Sequence, residues 1–165
     1  MSSPSSPFTV WIDGDGCPKP IKEILFRAAE RRGVRTVLVA NHPVAVPKLA
    51  NLSTVKVSQG LDVADAYLVK KAVAGDLVIT SDLPLAAELV AKGVTALSAR
   101  GEAYTAANVR ERLSLRDWAM EARESGIIAG GGPPPLNEKA LRTFANAFDA
   151  WLSRAQKATA APKAP

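Results

Sequence analysis

The sequence predicts a three-layer α/β/α fold with a mostly parallel five-stranded sheet, followed by C-terminal helices. Short apolar runs alternate with amphipathic stretches between residue 8 and about residue 98. The apolar runs are mostly β-branched residues and leucine, which is typical of parallel strands that are buried on both faces. The length of 165 residues and the 47% of hydrophobic residues suit one domain with a single core.

Five segments have the length and composition of strands: Phe8–Asp13, Arg35–Ala40, Thr54–Ser58, Leu77–Thr80 and Val94–Ser98. Helices are predicted between them, at Pro18–Arg32 before Gly33, from Asp62 to before Gly75, and at about Pro84–Lys92 before Gly93. Because strand–helix–strand crossovers are right-handed, these units build one parallel sheet with helices on both faces.

The two ends of the chain differ from this α/β part. From Thr105 to Ser153 the pattern is helical, with an interruption at Gly126–Leu136 that contains the linker-like run GGGPPP. We expect residues 8–153 to form the domain, with disordered tails at residues 1–7, rich in Ser and Pro, and at residues 154–165, rich in Ala, Pro and Lys.

Charge and cysteine content limit the classes of protein. The formal net charge is +5, but three of these positive charges belong to residues 154–165, so the basic signal of the domain is weak. Cys17 is the single cysteine, which excludes an intramolecular disulfide and fits a reducing compartment. Without a run of about 18 apolar residues, we expect no membrane span and a cytoplasmic location.

Five aspartates lie at the end of a strand or after one, and the strands concerned all end at the same edge of the predicted sheet. They are Asp13, Asp15, Asp62, Asp65 and Asp82. Loops that leave parallel strands toward helices all emerge at the carboxyl edge, and ligands bind there where the strand order reverses. Asp76 precedes its strand, so we expect it at the opposite edge and exclude it from the site.

Carboxylates gathered in this way need a compensating cation, because each negative charge raises the pKa of its neighbours. Hard oxygen ligands suit Mg²⁺ or Mn²⁺, and such ions activate water against a phosphodiester. Asp15, Asp62 and Asp82 also precede helices, where aspartate is a favoured N-cap. Three chain segments that each bring an aspartate to one edge nevertheless favour a metal or catalytic cluster over capping alone.

Several strings of the sequence resemble the YaiI/YqxD-type family of uncharacterised bacterial proteins. They include Trp11-Ile12-Asp13-Gly14-Asp15-Gly16-Cys17-Pro18, Gly60-Leu61-Asp62-Val63-Ala64-Asp65, Gly75-Asp76-Leu77-Val78-Ile79-Thr80-Ser81-Asp82, Arg100-Gly101 with Tyr104-Thr105, and Gly130-Gly131-Gly132-Pro133. The resemblance covers about residues 9–152.

That family is in turn similar to PIN-like domains, which are metal-dependent ribonucleases. The resemblance implies catalytic roles for Asp13, Asp65 and Asp82, a substrate of single-stranded RNA, and a homodimer. PIN nucleases usually carry one more acid in the middle of the chain, whereas the segment from Ala40 to Ser58 contains none. Asp15 and Asp62 are candidates to compensate for it.

Other residues near the same edge are candidates for substrate binding. Arg100 would bind a phosphate, and Tyr104 would stack on an unpaired base, although both also suit a solvated loop. Ser81, beside Asp82, and His42, after the second strand, would contact the substrate, and His42 is also a candidate general base. Lys22, in the first helix, would attract anions.

Two other functions compete with the nuclease. With an incomplete acidic cluster, the domain would bind RNA or a partner protein without cleavage. The pair Asp13-x-Asp15 also resembles the nucleophile and acid of haloacid dehalogenase-type phosphatases, but Cys17 and the position of Gly75-Asp76 before a strand disagree with that pattern.

Overall fold

A computed structural model describes residues 7–60, 62–124 and 136–160. It contains a five-stranded parallel sheet with the order β3-β2-β1-β4-β5. The strands are β1 Thr9–Asp13, β2 Arg35–Ala40, β3 Leu52–Lys56, β4 Leu77–Ile79 and β5 Thr95–Leu97. The predicted parallel sheet is confirmed, with β3 starting two residues earlier than expected.

Five helices connect and follow the strands: α1 Lys19–Arg32, α2 Val63–Lys71, α3 Leu83–Lys92, α4 Ala106–Glu124 and α5 Glu138–Ala160. Gly33 and Gly93 end α1 and α3 in the left-handed conformation, as their positions predicted. Pro18 is the N-cap of α1 rather than its first residue.

Side chains alternate across the sheet and divide the core between its two faces. Ile12 packs with α1 and α5, where Leu25 and Phe144 are almost fully buried. Trp11 packs on the other face with α2, α3 and α4, where Leu68 and Leu89 are fully buried. The sheet therefore lies between two helical layers, and the three-layer fold predicted from the sequence is confirmed.

The C-terminal helix corrects the expected boundary of the domain. Composition predicted a disordered tail from Arg154, but α5 continues through Ala160. The guanidinium of Arg32 in α1 donates to the Gln156 Oε1 at 3.2 and 3.0 Å, and Gln156 Nε2 donates back to the Arg32 carbonyl at 3.0 Å. Residues 1–6, 161–165 and the run GGGPPP lie outside the described residues.

Within residues 7–60, 62–124 and 136–160, none of the helices is both long and apolar enough to cross a bilayer.

Candidate functional site

The strand order places the site at the carboxyl ends of β1 and β4. These neighbouring strands lie where the order reverses, because β2 and β3 extend to one side of β1 and β5 lies beyond β4. A cleft of about 420 Å³ opens there. All five sequence-predicted aspartates line it, together with other residues that include Asn41, Gly60 and Ser81. The predicted convergence of these aspartates on one edge is confirmed.

Asp13 lies at the floor of the cleft, at the end of β1. It is only 8% exposed and accepts a hydrogen bond from the Thr80 hydroxyl at 2.8 Å. Burial raises its pKa, the Thr80 hydrogen bond opposes this effect, and the negative charges of Asp82 and Asp15 raise the pKa further. Its carboxylate is therefore deep, oriented and surrounded by like charge.

Asp65 lies in the first turn of α2, on the side of the cleft. Its pKa is raised to about 6, first by partial burial and then by the negative charges of Asp82, Asp13, Asp62 and Glu88, in that order. The negative charge of Asp82 raises the pKa of both Asp13 and Asp65, so like charges repel one another across the cleft. A bound cation would relieve this repulsion.

Asp82 combines a structural role with its place in the cleft. Its Oδ1 accepts from the Leu85 backbone N–H at 2.9 Å, so the side chain caps α3, as its position before that helix suggested. Its own N–H donates to the Thr80 hydroxyl oxygen at 3.1 Å. Thr80 therefore links Asp13 and Asp82 by hydrogen bonds across the two strand ends.

The positions of Asp15 and Asp62 before helices suggested N-caps, but neither side chain makes a capping hydrogen bond. Both oxygens of Asp15 accept from the Asn41 N–H, at 3.2 and 3.0 Å, and Asp15 Oδ1 lies 2.8 Å from Nδ1 of His42. Asp62 precedes α2 but makes no side-chain cap hydrogen bond. Its φ of 64° makes it the single non-glycine residue with positive φ in the described chain. Aspartate adopts this left-handed conformation more readily than most residues with a side chain.

The other sequence-predicted residues are distributed over three places. Ser81 lines the aspartate cleft and also an adjoining cavity of about 310 Å³ that includes Arg100 and Tyr104. Tyr104 is only 8% exposed, so most of its side chain packs in the core, although it also lines that cavity. His42 lies at the rim, beside Asp15. Lys22 lines a groove between α1 and residues 44–47 and does not reach the cleft.

Asp76 confirms that acids can be assigned to sheet edges from the sequence. It is 5% exposed, and its carboxylate accepts from the Thr9 N–H, the Trp11 indole N–H and the Val73 N–H at 2.9–3.1 Å. These contacts lie at the amino-terminal edge of the sheet, so Asp76 stabilises the fold.

The donors in the cleft have the chemistry that hard divalent cations prefer. No lysine or arginine occurs among the described residues that line the cleft. No group of three His, Cys, Asp or Glu side chains within the described ranges is arranged closely enough to hold a metal ion by itself. Mg²⁺ is usually held by one or two carboxylates and several waters, so the oxygen donors present fit such an ion without a closed protein cage.

Sequence reasoning missed two residues that organise the cleft. Thr80 directly follows β4, and its position two residues before the helix cap Asp82 was a usable signal. Asn41 acts through its backbone N–H, which no side-chain pattern reveals.

The fold and cleft together define a three-layer α/β/α domain with an acidic site at the point where the strand order reverses. A family model described as the uncharacterised YaiI/YqxD family matches residues 11–154. The chain belongs to this family.

Curated relatives cover nearly the whole chain. A UPF0178 protein of Psychromonas ingrahamii is 52% identical over 151 residues, which are 92% of this chain and 99% of the relative. One from Cellvibrio japonicus is 47% identical over 148 residues, covering 90% and 98%. One from Thioalkalivibrio sulfidiphilus is 53% identical over 145 residues, covering 88% and 98%. No solved structure matches the chain.

Proposed function

We propose that the protein is a metal-dependent phosphodiesterase of the PIN-like type that hydrolyses single-stranded RNA. The observation that carries this proposal is the cleft itself, in which five aspartates meet without a lining lysine or arginine among the described residues. Capping requires only Asp82 of these five, since Asp15 and Asp62 do not cap helices. Helix capping therefore does not explain why the other four carboxylates share one cleft.

One or two of the carboxylates of Asp13, Asp65 and Asp82 would hold Mg²⁺ or Mn²⁺ together with waters, with Asp15 and Asp62 at the sides of the cleft. Such an ion, when bound, lowers the pKa of a coordinated water and neutralises charge on a phosphate. Thr80 orients Asp13 by its hydrogen bond to Oδ2, and the cap on α3 fixes Asp82. The choice of RNA rests on the resemblance to PIN-like ribonucleases.

Cleavage assays test this proposal. The purified protein is incubated with single-stranded RNA, single-stranded DNA and a small phosphomonoester, in Mn²⁺, in Mg²⁺ and in chelator. We expect cleavage of RNA that needs the metal and is abolished by Asp13→Asn and by Asp82→Asn. The control is Asp149→Asn, an exposed aspartate on α5 that is remote from the cleft and should retain full activity.

A second function is a binding module that holds RNA or a protein without cleavage. It is favoured by the absence of an acid between Ala40 and Ser58 and by the lack of a closed three-ligand group in the described residues. Calorimetric titration of Mn²⁺ into wild type and Asp82→Asn separates the two. Equal and negligible heats of Mn²⁺ binding in both proteins would exclude the metal-dependent enzyme. RNA binding that persists in chelator would then support the binding module.

The haloacid dehalogenase-type phosphatase gains no support from the site. Its second acid would have to donate a proton, but both oxygens of Asp15 accept from Asn41 and one lies beside His42. Release of phosphate from the monoester alone would reverse this conclusion. The cytoplasmic location and the homodimer also belong to the proposal, and the dimer is tested by light scattering of the purified protein.

A further inference from the structure

A second cavity with opposite charge adjoins the aspartate cleft. It has a volume of about 310 Å³, and Gly16 and Ser81 line both spaces, so the two are separated by a shared wall. Two arginines line the second cavity, Arg100 and Arg112. We call it the arginine cavity.

The loop after β5 is held in a fixed shape at this cavity. The Ser98 hydroxyl accepts from the N–H groups of Arg100 and Glu102, each at 3.1 Å, and Ser98 N–H donates to the Glu102 carbonyl at 2.9 Å. Gly101 adopts a φ of 84°, and a Cβ there would meet the Thr143 carbonyl oxygen of α5 at 2.8 Å. The backbone that carries Arg100 is therefore tightly constrained.

Arg112 reaches the same cavity from a different element, helix α4. It forms an ion pair with Glu102, and both side chains are partly exposed, at 45% and 36%. Guanidinium groups bind phosphate oxygens through planar, paired N–H donors, and a phosphate entering the cavity would compete with Glu102 for Arg112. The cavity is thus lined by two cationic side chains and by one carboxylate, which partly neutralises their positive charge.

We propose that the arginine cavity binds a second phosphate of the substrate, next to the phosphodiester that lies in the aspartate cleft. This inference rests on the proposed function and narrows its substrate class. A nucleic acid strand carries one phosphate per nucleotide, so a substrate that spans both spaces presents one phosphate to each. The second phosphate is either an internal phosphodiester or a terminal 5′-monophosphate.

The test measures binding of short fluorescent oligouridylates by anisotropy, in chelator, over a range of salt concentrations. We expect Arg112→Gln and Arg100→Gln each to weaken binding about tenfold and to reduce the slope of log affinity against log salt by about 0.7. Glu102→Gln should tighten binding, because it removes the competing carboxylate. Arg110→Gln, an exposed arginine on the same helix outside the cavity, is the matched control and should bind like wild type.

Glu102→Gln separates phosphate binding from a structural role. It breaks the same ion pair as Arg112→Gln, so a purely structural effect would move affinity in the same direction in both variants. Oligouridylates with a 5′-hydroxyl or a 5′-monophosphate identify the source of the phosphate. An arginine effect on both assigns an internal phosphodiester, and an effect on the 5′-monophosphate alone assigns the terminal group.

The outcomes also separate this inference from the nuclease. If neither arginine variant affects RNA cleavage, the nuclease proposal stands and the proposed phosphate site is wrong. If binding depends on the arginines but no RNA is cleaved in Mn²⁺, the phosphate site stands and the nuclease proposal is wrong. Wild-type protein that binds no oligouridylate at low salt would overturn the phosphate site directly.

Discussion

Asp65 retains its proton to higher pH than an ordinary aspartate. Burial and the charges of Asp82 and Asp13 raise its pKa to about 6 in the folded protein, whereas an unfolded chain gives about 3.9. The folded state therefore binds this proton more tightly than the unfolded state does. The resulting stabilisation is complete below about pH 4 and is lost as the pH rises through about 6.

Asp65→Asn should consequently raise the melting temperature of the metal-free protein at about pH 7.5, because it removes a repelled charge. The gain should vanish near pH 4, where wild-type Asp65 is protonated as well. Thermal unfolding in chelator at both pH values measures the effect. Glu111→Gln, an exposed change of the same kind on α4, is the control, and equal melting temperatures for Asp65→Asn and wild type at pH 7.5 would contradict the argument.

Thr80 provides a second prediction at this scale. Thr80→Val keeps the shape of the side chain but removes the hydroxyl that donates to Asp13 and accepts from the Asp82 N–H. Thr80 is 3% exposed, so we expect a loss of about 1–3 kcal/mol in the free energy of unfolding, measured in urea. Thr80→Ser retains both hydrogen bonds and should lose clearly less. Equal stability of the two variants would show that the hydroxyl is unimportant.

Individual residues were predictable from the sequence where the side chain itself carries the signal. Asp13 ends one apolar strand and Asp82 follows another, and these positions alone assign both residues to the carboxyl edge. The burial of Tyr104 was not predictable, because a tyrosine that follows a strand is compatible with either an exposed or a buried position. Its packing in the core depends on α4, which covers that face of the sheet.

At the scale of elements, the turn between β1 and α1 depends on a close approach that only glycine permits. A Cβ on Gly14 would lie 2.6 Å from Leu38 Cδ2 and 3.0 Å from the Val39 carbonyl oxygen, and Leu38 is fully buried. We expect Gly14→Ala to destabilise the protein by about 1–3 kcal/mol in urea unfolding.

Gly16→Ala is the matched control for Gly14→Ala. Its Cβ would meet Asp13 Oδ2 at 3.6 Å, an ordinary contact, so the two glycines of one turn should respond differently. A Gly14→Ala protein as stable as Gly16→Ala would show that Leu38 and β2 move aside without cost.

The strands and the first three helices were predictable because their apolar runs and glycine stops are local signals. The extension of α5 past Ser153 was not, since composition from Arg154 onward favours disorder. Contacts with Arg32, which is more than a hundred residues away in the sequence, hold that last part of the helix. Tertiary contacts of this kind leave no mark in local composition.

For the whole molecule, divalent ions should stabilise the native state, because a site assembled by folding does not exist in the unfolded chain. One binding site at a ligand concentration of 100 times its Kd adds about 2.7 kcal/mol. We therefore expect Mn²⁺ to raise the melting temperature of wild type and to leave Asp13→Asn nearly unchanged. Thermal unfolding with Mn²⁺ and with chelator measures this, and an equal shift in both proteins would place the ion elsewhere.

Helix α5 completes the core on one face of the sheet, so the chain should not fold without it. Phe144, Phe148 and Leu152 are 0–3% exposed, and burying each contributes about 1.5–3 kcal/mol, a total near the whole stability of a domain. Truncation after Leu136 should abolish cooperative unfolding in urea followed by circular dichroism, whereas truncation after Ala160 should preserve it. A cooperative transition in the shorter chain would show that α5 is an appendage rather than part of the fold.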